Sequence, residues 1–330
     1  MTIEQVPDPA TVRAVFNRAT RAPSLHNSQP WHWYWDGSAA ELRVDSTRLL
    51  PATDTFNREG ILGCGVVLHH SEVAWAAAGW DIRTSRFPEP TARTHVASVQ
   101  PVSPHALREP EQLMGAAIDR RYSDRMPMNP PPEWVTTPTV LEFLGHRSHT
   151  SVTFLDDTGV GELQRISELT MRLRRYDPQY GSELNWWSTG LDQDGAGVPA
   201  SARPSADDRG RVPLDREFPA GTAESPDPDV DDAARIAVLS TDDDAAPTLL
   251  DCGYALSAVL LECTMQGLST CTVSHVVELP SPRAMLAELV GRRYPQVLVR
   301  IGTACSPPPP RTPRRAIDSV LEVRVGRRQG

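Results

Sequence analysis

The sequence predicts an α+β fold built from two similar halves of one chain. Strand-like runs of alternating apolar and polar residues surround two long apolar helices, predicted over 59–79 and 247–266. These helices match at a constant offset of 188, through Cys64-Gly65 with Cys252-Gly253, Leu68 with Leu256, and Gly79 with Gly267. Four matching residues can arise by coincidence or by internal duplication, and both explanations remain open. A duplicated chain would have halves at 1–110 and 111–330, related by a pseudo-twofold axis, and each would contribute its apolar helix to a shared core.

The first half predicts a helix, a hairpin, the long helix and two more strands. Asp8 and Pro9 can start a helix that ends before Pro23, because the residue ahead of a proline avoids helical backbone angles. Segments 31–35 and 41–46 alternate apolar and polar residues and predict a hairpin across Asp36-Gly37. After the helix 59–79, segments 82–87 and 95–102 predict two strands.

The order of elements restarts near residue 111. We predict a helix over 111–120, an arginine-rich turn, a proline break, a helix over 133–144, a strand over 151–157 and a helix over 160–175. Later segments predict a strand over 235–241, the helix 247–266, a loop over 267–280, a helix over 282–290 and a strand over 296–302. The tail begins as a polyproline run, which alone would indicate an extended linker, and continues into a cationic cluster of Arg311, Arg314 and Arg315.

Residues 186–232 differ from the rest of the chain. They are rich in glycine, proline and aspartate and have little periodicity, which predicts a long irregular insertion. Such an insertion is either a disordered linker or a lid over a site. Apolar residues favour a lid that packs on the body of the protein; they are Trp186, Trp187, Leu191, Val198, Val212, Leu214 and Phe218.

Composition excludes several classes of protein. At 330 residues the chain is long enough for two domains of about 150 residues. A net charge of −9 argues against nucleic acid as a partner. There is no lysine, so all 33 basic residues are arginine, whose guanidinium suits bidentate recognition of phosphate or carboxylate.

Cysteine usage and hydropathy predict a soluble protein of a reducing cytoplasm. The five cysteines are odd in number and widely spaced, so neither a disulfide framework nor a zinc site is indicated. The amino terminus lacks the basic and apolar regions of a signal peptide. The most apolar stretch, 249–265, contains Asp251 and Glu262, which favours a buried helix over a membrane span.

The stretch 21–35, RAPSLHNSQPWHWYW, is the leading candidate for a ligand-binding loop. It joins a helix to an aromatic strand, a position at which α/β proteins often bind ligands. An ordinary helix-to-strand turn is the alternative, with Pro23, Asn27 and Pro30 as turn formers. Residues from this loop alone do not decide between the two interpretations.

Three motifs together resemble the nitroreductase-type FMN enzymes. APSLHNSQPW resembles their A-P-S-x-x-N-x-Q-P-W loop, Arg121-Tyr-Ser123-Asp-Arg125 resembles their R-x-S-x-R phosphate motif, and PQVLVRIG followed by Pro313-Arg314-Arg315 resembles their last strand and basic tail. Order and spacing agree over nearly the whole chain. Within that superfamily the sequence is most similar to the Acg-type proteins, which resemble a fused nitroreductase dimer with a lid. The fold implied is therefore a nitroreductase-like α+β fold with pseudo-twofold symmetry.

The resemblance implies one FMN site per chain. The first half has the Pro-Ser loop without an R-x-S-x-R motif, and the second half has that motif without the loop. The implied cofactor-binding residues come from both halves: Pro23, Ser24, Asn27, Gln29, Arg121, Ser123, Arg125, Thr272, Val273, Ser274, Arg311, Arg314 and Arg315. Arginines and the Ser123 hydroxyl would hold the phosphate. Backbone N–H groups of 272–274 would lie near the flavin N5. Two departures from the pattern are the adjacency of Arg314 and Arg315 and the histidine at position 26.

By the same resemblance the protein is an oxidoreductase, passing electrons from NAD(P)H through FMN to a small acceptor such as a nitroaromatic or a quinone. No side chain is required as a general acid or base, because the cofactor supplies the chemistry. The alternative is a protein that stores or sequesters FMN beneath a closed lid. The expected partners are the small-molecule donor and acceptor, with no nucleic acid and no membrane. One chain would act as a pseudo-dimer, and association of two chains is left open.

Other groups of residues give weaker indications of a metal, catalytic or nucleotide-binding site. His69, His70 and Glu72 lie on a mostly apolar helix without a third ligand at metal spacing, which favours buried histidines over a metal site. Cys271 and His275 are close in sequence but no nucleophile-elbow pattern accompanies them. Gly63-Cys-Gly65 lacks the further glycine of a dinucleotide fingerprint.

Overall fold

The computed structural model describes residues 6–89, 91–189, 194–214, 216–225 and 230–324. It is an α+β structure, as predicted. The first elements in chain order are α1 (Pro9–Ala19), β1 (Trp31–Trp35), β2 (Ala40–Val44), α2 (Arg58–Ala77), β3 (Trp80–Arg86) and β4 (His95–Pro104). Short 3₁₀ turns at Leu25–Asn27 and Ser46–Arg48 lie between them. The Asp8 carboxylate caps α1 by accepting from the N–H groups of Ala10 and Thr11.

The second set of elements follows residue 108. It comprises α3 (Glu109–Arg120), β5 (Met128–Asn129), α4 (Thr137–His146), β6 (Ser151–Phe154), α5 (Asp157–Arg174), α6 (Pro178–Thr189), β7 (Arg235–Thr241), α7 (Ala246–Met265), β8 (Ser269–Val273), α8 (His275–Glu278), α9 (Pro280–Val290), β9 (Tyr294–Ala304) and β10 (Leu321–Val323).

Two five-stranded sheets share one internal strand order. The first runs β10-β1-β2-β4-β3, and in the second β6 pairs with β7, β7 with β9, and β9 with both β8 and β5. The run β1-β2-β4-β3 thus corresponds to β6-β7-β9-β8, with α2 and α7 at equivalent points in each chain order. β10 lies parallel to β1 and joins the carboxyl-terminal tail to the first sheet.

The two long helices contact each other reciprocally at the predicted offset. A Cβ on Gly65 of α2 would lie 2.9 Å from the Cα of Gly253 in α7, and a Cβ on Gly253 would lie 3.0 Å from the Cα of Gly65. Both would also overlap backbone oxygens 188 residues apart, those of Leu250 and Leu62. The glycines therefore let the helix backbones meet, and both helices supply residues to the largest apolar core.

α7 is long and apolar enough to span a membrane by length and composition. However, 61% of its most apolar window is buried inside the structure. Its neighbours α2, α3, α4 and β7 cover it. α7 is therefore a buried core helix, as the sequence predicts.

Several predicted elements need correction. The segment 267–280, predicted as a loop, contains β8 and α8. Trp186 and Trp187, predicted to open an irregular insertion, lie in α6, a helix that was not predicted. The tail contains β10, so it is not the extended linker that its polyproline run alone would indicate. The predicted helix 133–144 is displaced to Thr137–His146. Leu191, one of the apolar residues assigned to the insertion, lies outside the described residues.

Candidate functional site

The loop between α1 and β1 has an unusual backbone. His26, Asn27 and Gln29 have φ values of 49°, 55° and 53°, in the left-handed region that residues with a Cβ rarely adopt. Each such residue costs about 1–2 kcal/mol, so surrounding contacts must hold the loop in this form. Strained loops of this kind are found at ligand sites more often than elsewhere.

Side chains of the loop itself hold it. Asn27 donates through Nδ2 to the carbonyl oxygens of Gly197 at 3.1 Å and Pro313 at 3.2 Å. Gln29 donates to Gly195 O at 2.9 Å and accepts from the backbone N–H of Arg315 at 3.0 Å. These two residues therefore join the loop to the insertion and to the tail.

These hydrogen bonds bear on the predicted cofactor contacts of Gln29 and Asn27. The Gln29 side chain is fully buried within these hydrogen bonds, so its predicted role in binding the cofactor gives way to a structural one. Asn27 lines a cavity. Its amide N–H groups are engaged by backbone carbonyls, but its Oδ1 has no hydrogen-bond partner among the described residues, so its predicted contact with the cofactor stays a prediction.

Arg315 needs a similar correction. Its guanidinium donates to Gln29 O and Ser319 O and forms an ion pair with Asp45 at 3.5 Å. With its side chain 9% exposed, it is turned away from the cavities described below. The predicted phosphate contact by Arg315 is therefore not supported by its position, whereas Arg314 lies at the cavity.

An outer cavity opens between this loop, the end of α3 and the tail. Its described lining includes six arginines and one carboxylate, Asp119. The arginines are Arg21, Arg120, Arg121, Arg125, Arg311 and Arg314, and Ser123 lies among them. Asp119 is already paired with Arg18 at 2.9 Å and with Arg311 at 3.5 Å. The cavity is therefore strongly cationic, and it brings together five of the predicted phosphate-binding residues.

Burial and mutual repulsion disfavour the charges of this cluster. The pKa of Arg121 falls to about 10, first because the side chain is buried and then because Arg21 and Arg125 are close. Burial, followed by Arg21, lowers the pKa of Arg314 well below its usual value. Among the described residues, Arg121 Nε has no hydrogen-bond partner. An anion in the cavity would relieve both the repulsion and the missing hydrogen bond.

An inner cavity continues from the outer one. Pro23, Ser24, Ser123 and Arg125 line both. The inner cavity is the more apolar of the two. Its walls are the start of α2, β8 with the start of α8, and part of the insertion, and they include the predicted Thr272, Val273 and Ser274. A mostly apolar chamber therefore adjoins a cationic one.

Ser274 belongs to a buried ionic network at one end of the inner cavity. Its hydroxyl accepts from Arg216 Nη2 at 3.1 Å and donates to Glu278 Oε1 at 3.2 Å. Arg216 also forms an ion pair with Glu278 and donates to Tyr180 OH at 2.8 Å. Burial alone would lower the pKa of Arg216, but Glu278 more than reverses that effect and raises it. Arg216 is thereby fixed as a cation within the wall.

The insertion packs closely on the body of the protein. Val198 and Phe218 join Tyr180 and Leu184 of α6 in a small apolar cluster. Leu214, Arg216 and Phe218 line the inner cavity. The Arg125 guanidinium lies 5.7 Å from the ring centre of Phe218 and donates to Ala202 O. The expectation that the insertion packs, rather than forming a disordered linker, is confirmed for its described residues.

Two cavity residues that sequence reasoning did not select have unsatisfied polar atoms. In the described part of the chain, both ring nitrogens of His26 and Oε1 of Glu59 lack hydrogen-bond partners, although the residues are only 5% and 8% exposed. Burial, then Arg216, lowers the pKa of His26 well below its usual value, so the ring is neutral. His26 stands in the predicted loop, but Glu59 resembles any acidic residue in the first turn of a helix and gave no signal.

Comparison with known proteins gives a consistent result. No family model matches the chain. A Mycobacterium tuberculosis protein named "Putative NAD(P)H nitroreductase acg" is 41% identical over 318 residues, which is 95% of this chain and 96% of the relative. An uncharacterized protein of the same organism is 36% identical over 316 residues, which is 93% of this chain and 91% of the relative.

Among solved structures, the FMN and NADPH-dependent nitroreductase NfnB of Sphigopyxis sp. strain HMH matches 63% of this chain and 97% of its own, at 16% identity and a TM-score of 0.42. A score this low adds nothing to the assignment, which rests on the sequence relatives. The resemblance found in the motifs is confirmed by a relative that matches nearly end to end. The chain belongs to the acg family of nitroreductase-like proteins.

Proposed function

We propose that this protein is an FMN-dependent oxidoreductase that passes electrons from NAD(P)H to a small acceptor, such as a nitroaromatic or a quinone. The observation that carries the proposal is the pair of joined cavities, one cationic and one mostly apolar. FMN has the same division, with a phosphate at one end and a flat heteroaromatic ring at the other. The name of the relative "Putative NAD(P)H nitroreductase acg" supports the same donor and activity.

The outer cavity suits the phosphate. Arg121, Arg125, Arg311 and Arg314 supply positive charge around the Ser123 hydroxyl. A phosphate monoester is close to a dianion at neutral pH, so it would offset repulsion among these arginines and accept from the unpartnered Arg121 Nε. Pro23 and Ser24, at the junction of the cavities, would contact the chain that joins phosphate to ring.

The inner cavity suits the ring. Leu62 and Gly63 of α2 and Val273 of β8 supply apolar walls, and the edge of β8 not paired with β9 brings backbone groups of 272–274 to the cavity. When bound, FMN would accept and return a hydride equivalent. The residues of this chain bind the ring, orient it and exclude water. The described walls contain no side chain that the redox step itself requires.

We further propose that the chain is a fused pseudo-dimer, with halves 1–110 and 111–330 and one FMN site between them. The shared strand order and the reciprocal contact of Gly65 with Gly253 support this division. Loop 23–26 and α2 come from the first half, and 121–125, 270–275 and the tail come from the second. The tail returns to the first sheet as β10, so neither half builds the site alone.

Storage or sequestration of FMN is a second candidate, favoured by a specific observation. The insertion is fastened by the loop that adjoins the cavities, through Asn27 and Gln29, and Arg216 is buried in its ion pair with Glu278. We propose that this segment is a lid. A lid held in this way would hinder access of nicotinamide and of large acceptors.

Reduction of the FMN-loaded protein separates the two candidates. The oxidoreductase predicts that NADPH or NADH bleaches the flavin absorption and that an added quinone or nitroaromatic restores it over many cycles. Storage predicts tight FMN binding with bleaching far slower than that by dithionite, a small reductant. Failure of the purified protein to bind FMN would reject both.

A further inference from the structure

Glu59 stands out as a polar group in the inner cavity that the proposed function does not use. It lies in the first turn of α2, is 8% exposed and lines the cavity beside Leu62 and Gly63. Its Oε1 has no hydrogen-bond partner among the described residues. A buried carboxyl oxygen without a partner is costly unless a ligand completes its hydrogen bonding.

The cations near Glu59 are engaged elsewhere. Arg216 donates to both carboxylate oxygens of Glu278. Arg58, the next residue in the chain, donates to Gln296 Oε1 at 2.9 Å and to Val277 O at 2.6 Å. The neighbouring guanidinium groups therefore already have hydrogen-bond partners, and Glu59 forms no ion pair with any described residue.

Groups from each neighbouring element act on Glu59. Burial, and then the carboxylates of Glu278 and Asp54, raise the pKa of Glu59; with the opposing effects of Arg58 and Arg216 included, the pKa is about 8. Titratable or charged groups from several elements lie near this end of the cavity. They are Asp54, which precedes α2, Arg58, which is next to Glu59 in the chain, His275 and Glu278 of α8, Arg216 of the insertion, and His26 of the loop. Arg174 of α5 and Tyr180 of α6 reach the same network through Glu278 and Arg216.

We propose that Glu59 holds a proton at neutral pH and donates it in a hydrogen bond to an uncharged acceptor atom of the ligand in the inner cavity. The inference rests on the proposed function, in which that ligand is the ring of FMN, whose carbonyl oxygens and ring nitrogens are acceptors of this kind. A carboxyl group keeps this donor only while protonated. An ionised Glu59 would instead oppose the oxygen or nitrogen lone pairs of the ring with a negative charge.

The neutral ring of His26, also in the cavity wall, fits the same ligand. Both of its nitrogens lack described partners, so it can donate from one and accept at the other. Two neutral hydrogen-bonding side chains in the inner cavity, where the charge of Arg216 is paired with Glu278, and the arginines of the outer cavity match a ligand that is uncharged at one end and anionic at the other.

FMN affinity as a function of pH tests the proposal. Wild type and Glu59→Gln should bind FMN similarly at pH 7, because an amide N–H replaces the carboxyl O–H. Between pH 7 and 9.5 the wild type should lose up to about 30-fold more affinity than the variant, if only the protonated form binds and the pKa is about 8. The exposed Glu288→Gln is the matched control and should follow the wild type.

The outcomes are distinct. Parallel loss of affinity in wild type and Glu59→Gln would overturn the proposal while leaving FMN binding intact. Absence of FMN binding to the wild type at every pH would reject the proposed function and this inference with it. If Glu59→Gln binds no FMN, the free energies of unfolding of the apo variant and the apo wild type are compared by urea titration at pH 8. Greater stability than the wild type there supports a buried proton on Glu59, and equal or lower stability counts against it.

Discussion

Replacing Arg121 by methionine separates what this arginine does for a ligand from what it costs the protein. The side chain is 8% exposed, and burial with its arginine neighbours lowers its pKa from 12.5 to about 10. At about 1.4 kcal/mol per pKa unit, charged Arg121 is disfavoured in the folded apo protein by roughly 3 kcal/mol. Both values lie above 7, so the arginine is charged in the folded and unfolded states and the whole penalty applies at neutral pH.

Two opposite effects are therefore expected. A hydrogen bond from a charged group contributes about 1.5–3 kcal/mol, so Arg121→Met should weaken FMN binding by about 10- to 150-fold. The apo variant loses the weak hydrogen bond to Arg21 O, at 3.3 Å, worth about 1 kcal/mol. It also loses the roughly 3 kcal/mol penalty, so its free energy of unfolding should rise by about 2 kcal/mol.

Quenching of flavin fluorescence measures the affinity, and urea unfolding of the apo proteins measures the stability. Arg83→Met is the matched control, because Arg83 is an exposed arginine of β3; Arg86 is less suitable because it pairs with Asp251. Unchanged FMN affinity would show that the phosphate site is misplaced. A large loss of apo stability would refute the reasoning about repulsion. The double variant Arg121→Ala with Arg125→Ala should release FMN.

Three further predictions concern the helix crossing, the lid and pH. Gly65→Ala should lower the free energy of unfolding, measured by urea titration, by about 1–3 kcal/mol, because the added Cβ forces α2 and α7 apart. Gly161→Ala is the control: nothing lies near that position on α5, so the same titration should show a rise of up to about 1 kcal/mol. Gly195→Val should detach the lid, because its Cβ would overlap the Arg314 carbonyl, and should speed reduction of bound FMN by NADPH. Gly210→Val is the control: Gly210 also has a positive φ, so the variant has similar backbone strain, but nothing lies within 4 Å of the added Cβ and the rate should not rise. Equal rates in the two variants would argue against a lid. The folded-state pKa of Glu59 is raised from 4.5 to about 8, so the contribution of Glu59 to stability is complete below pH 4.5 and is lost as the pH rises through 8. Glu59→Gln should therefore raise the free energy of unfolding of the apo protein at pH 8 by as much as roughly 4–5 kcal/mol. A difference between the two proteins that does not change with pH would contradict this.

The sequence located the site better than it assigned roles within it. Loop 21–35, the motif 121–125 and the segment 270–275 do meet at one pair of cavities. Motif spacing could not show that Asn27 and Gln29 would turn to the insertion and the tail, or that Arg315 would pair with Asp45. Such choices depend on which carbonyls and carboxylates surround a side chain, and those come from positions more than 150 residues away.

Local patterns also explain which elements were predicted. The helices α2 and α7 have 20 residues each and apolar stretches that no short-range signal contradicts. β8 has only five residues and β10 has three, so neither is long enough to show a period of alternating residues. Arg216 and Phe218 lie in a segment without periodicity, and contacts such as those with Glu278 and the Tyr180 cluster, rather than any local pattern, assign them to the cavity wall.

Titration of the purified apo protein with FMN tests the central claim most directly. Equilibrium binding, followed by flavin fluorescence with protein concentration determined independently, gives the number of sites per chain. A single site assembled from both halves predicts one FMN bound per chain, with affinity that Arg121→Met reduces and Arg83→Met does not. Two FMN per chain, or none, would contradict it.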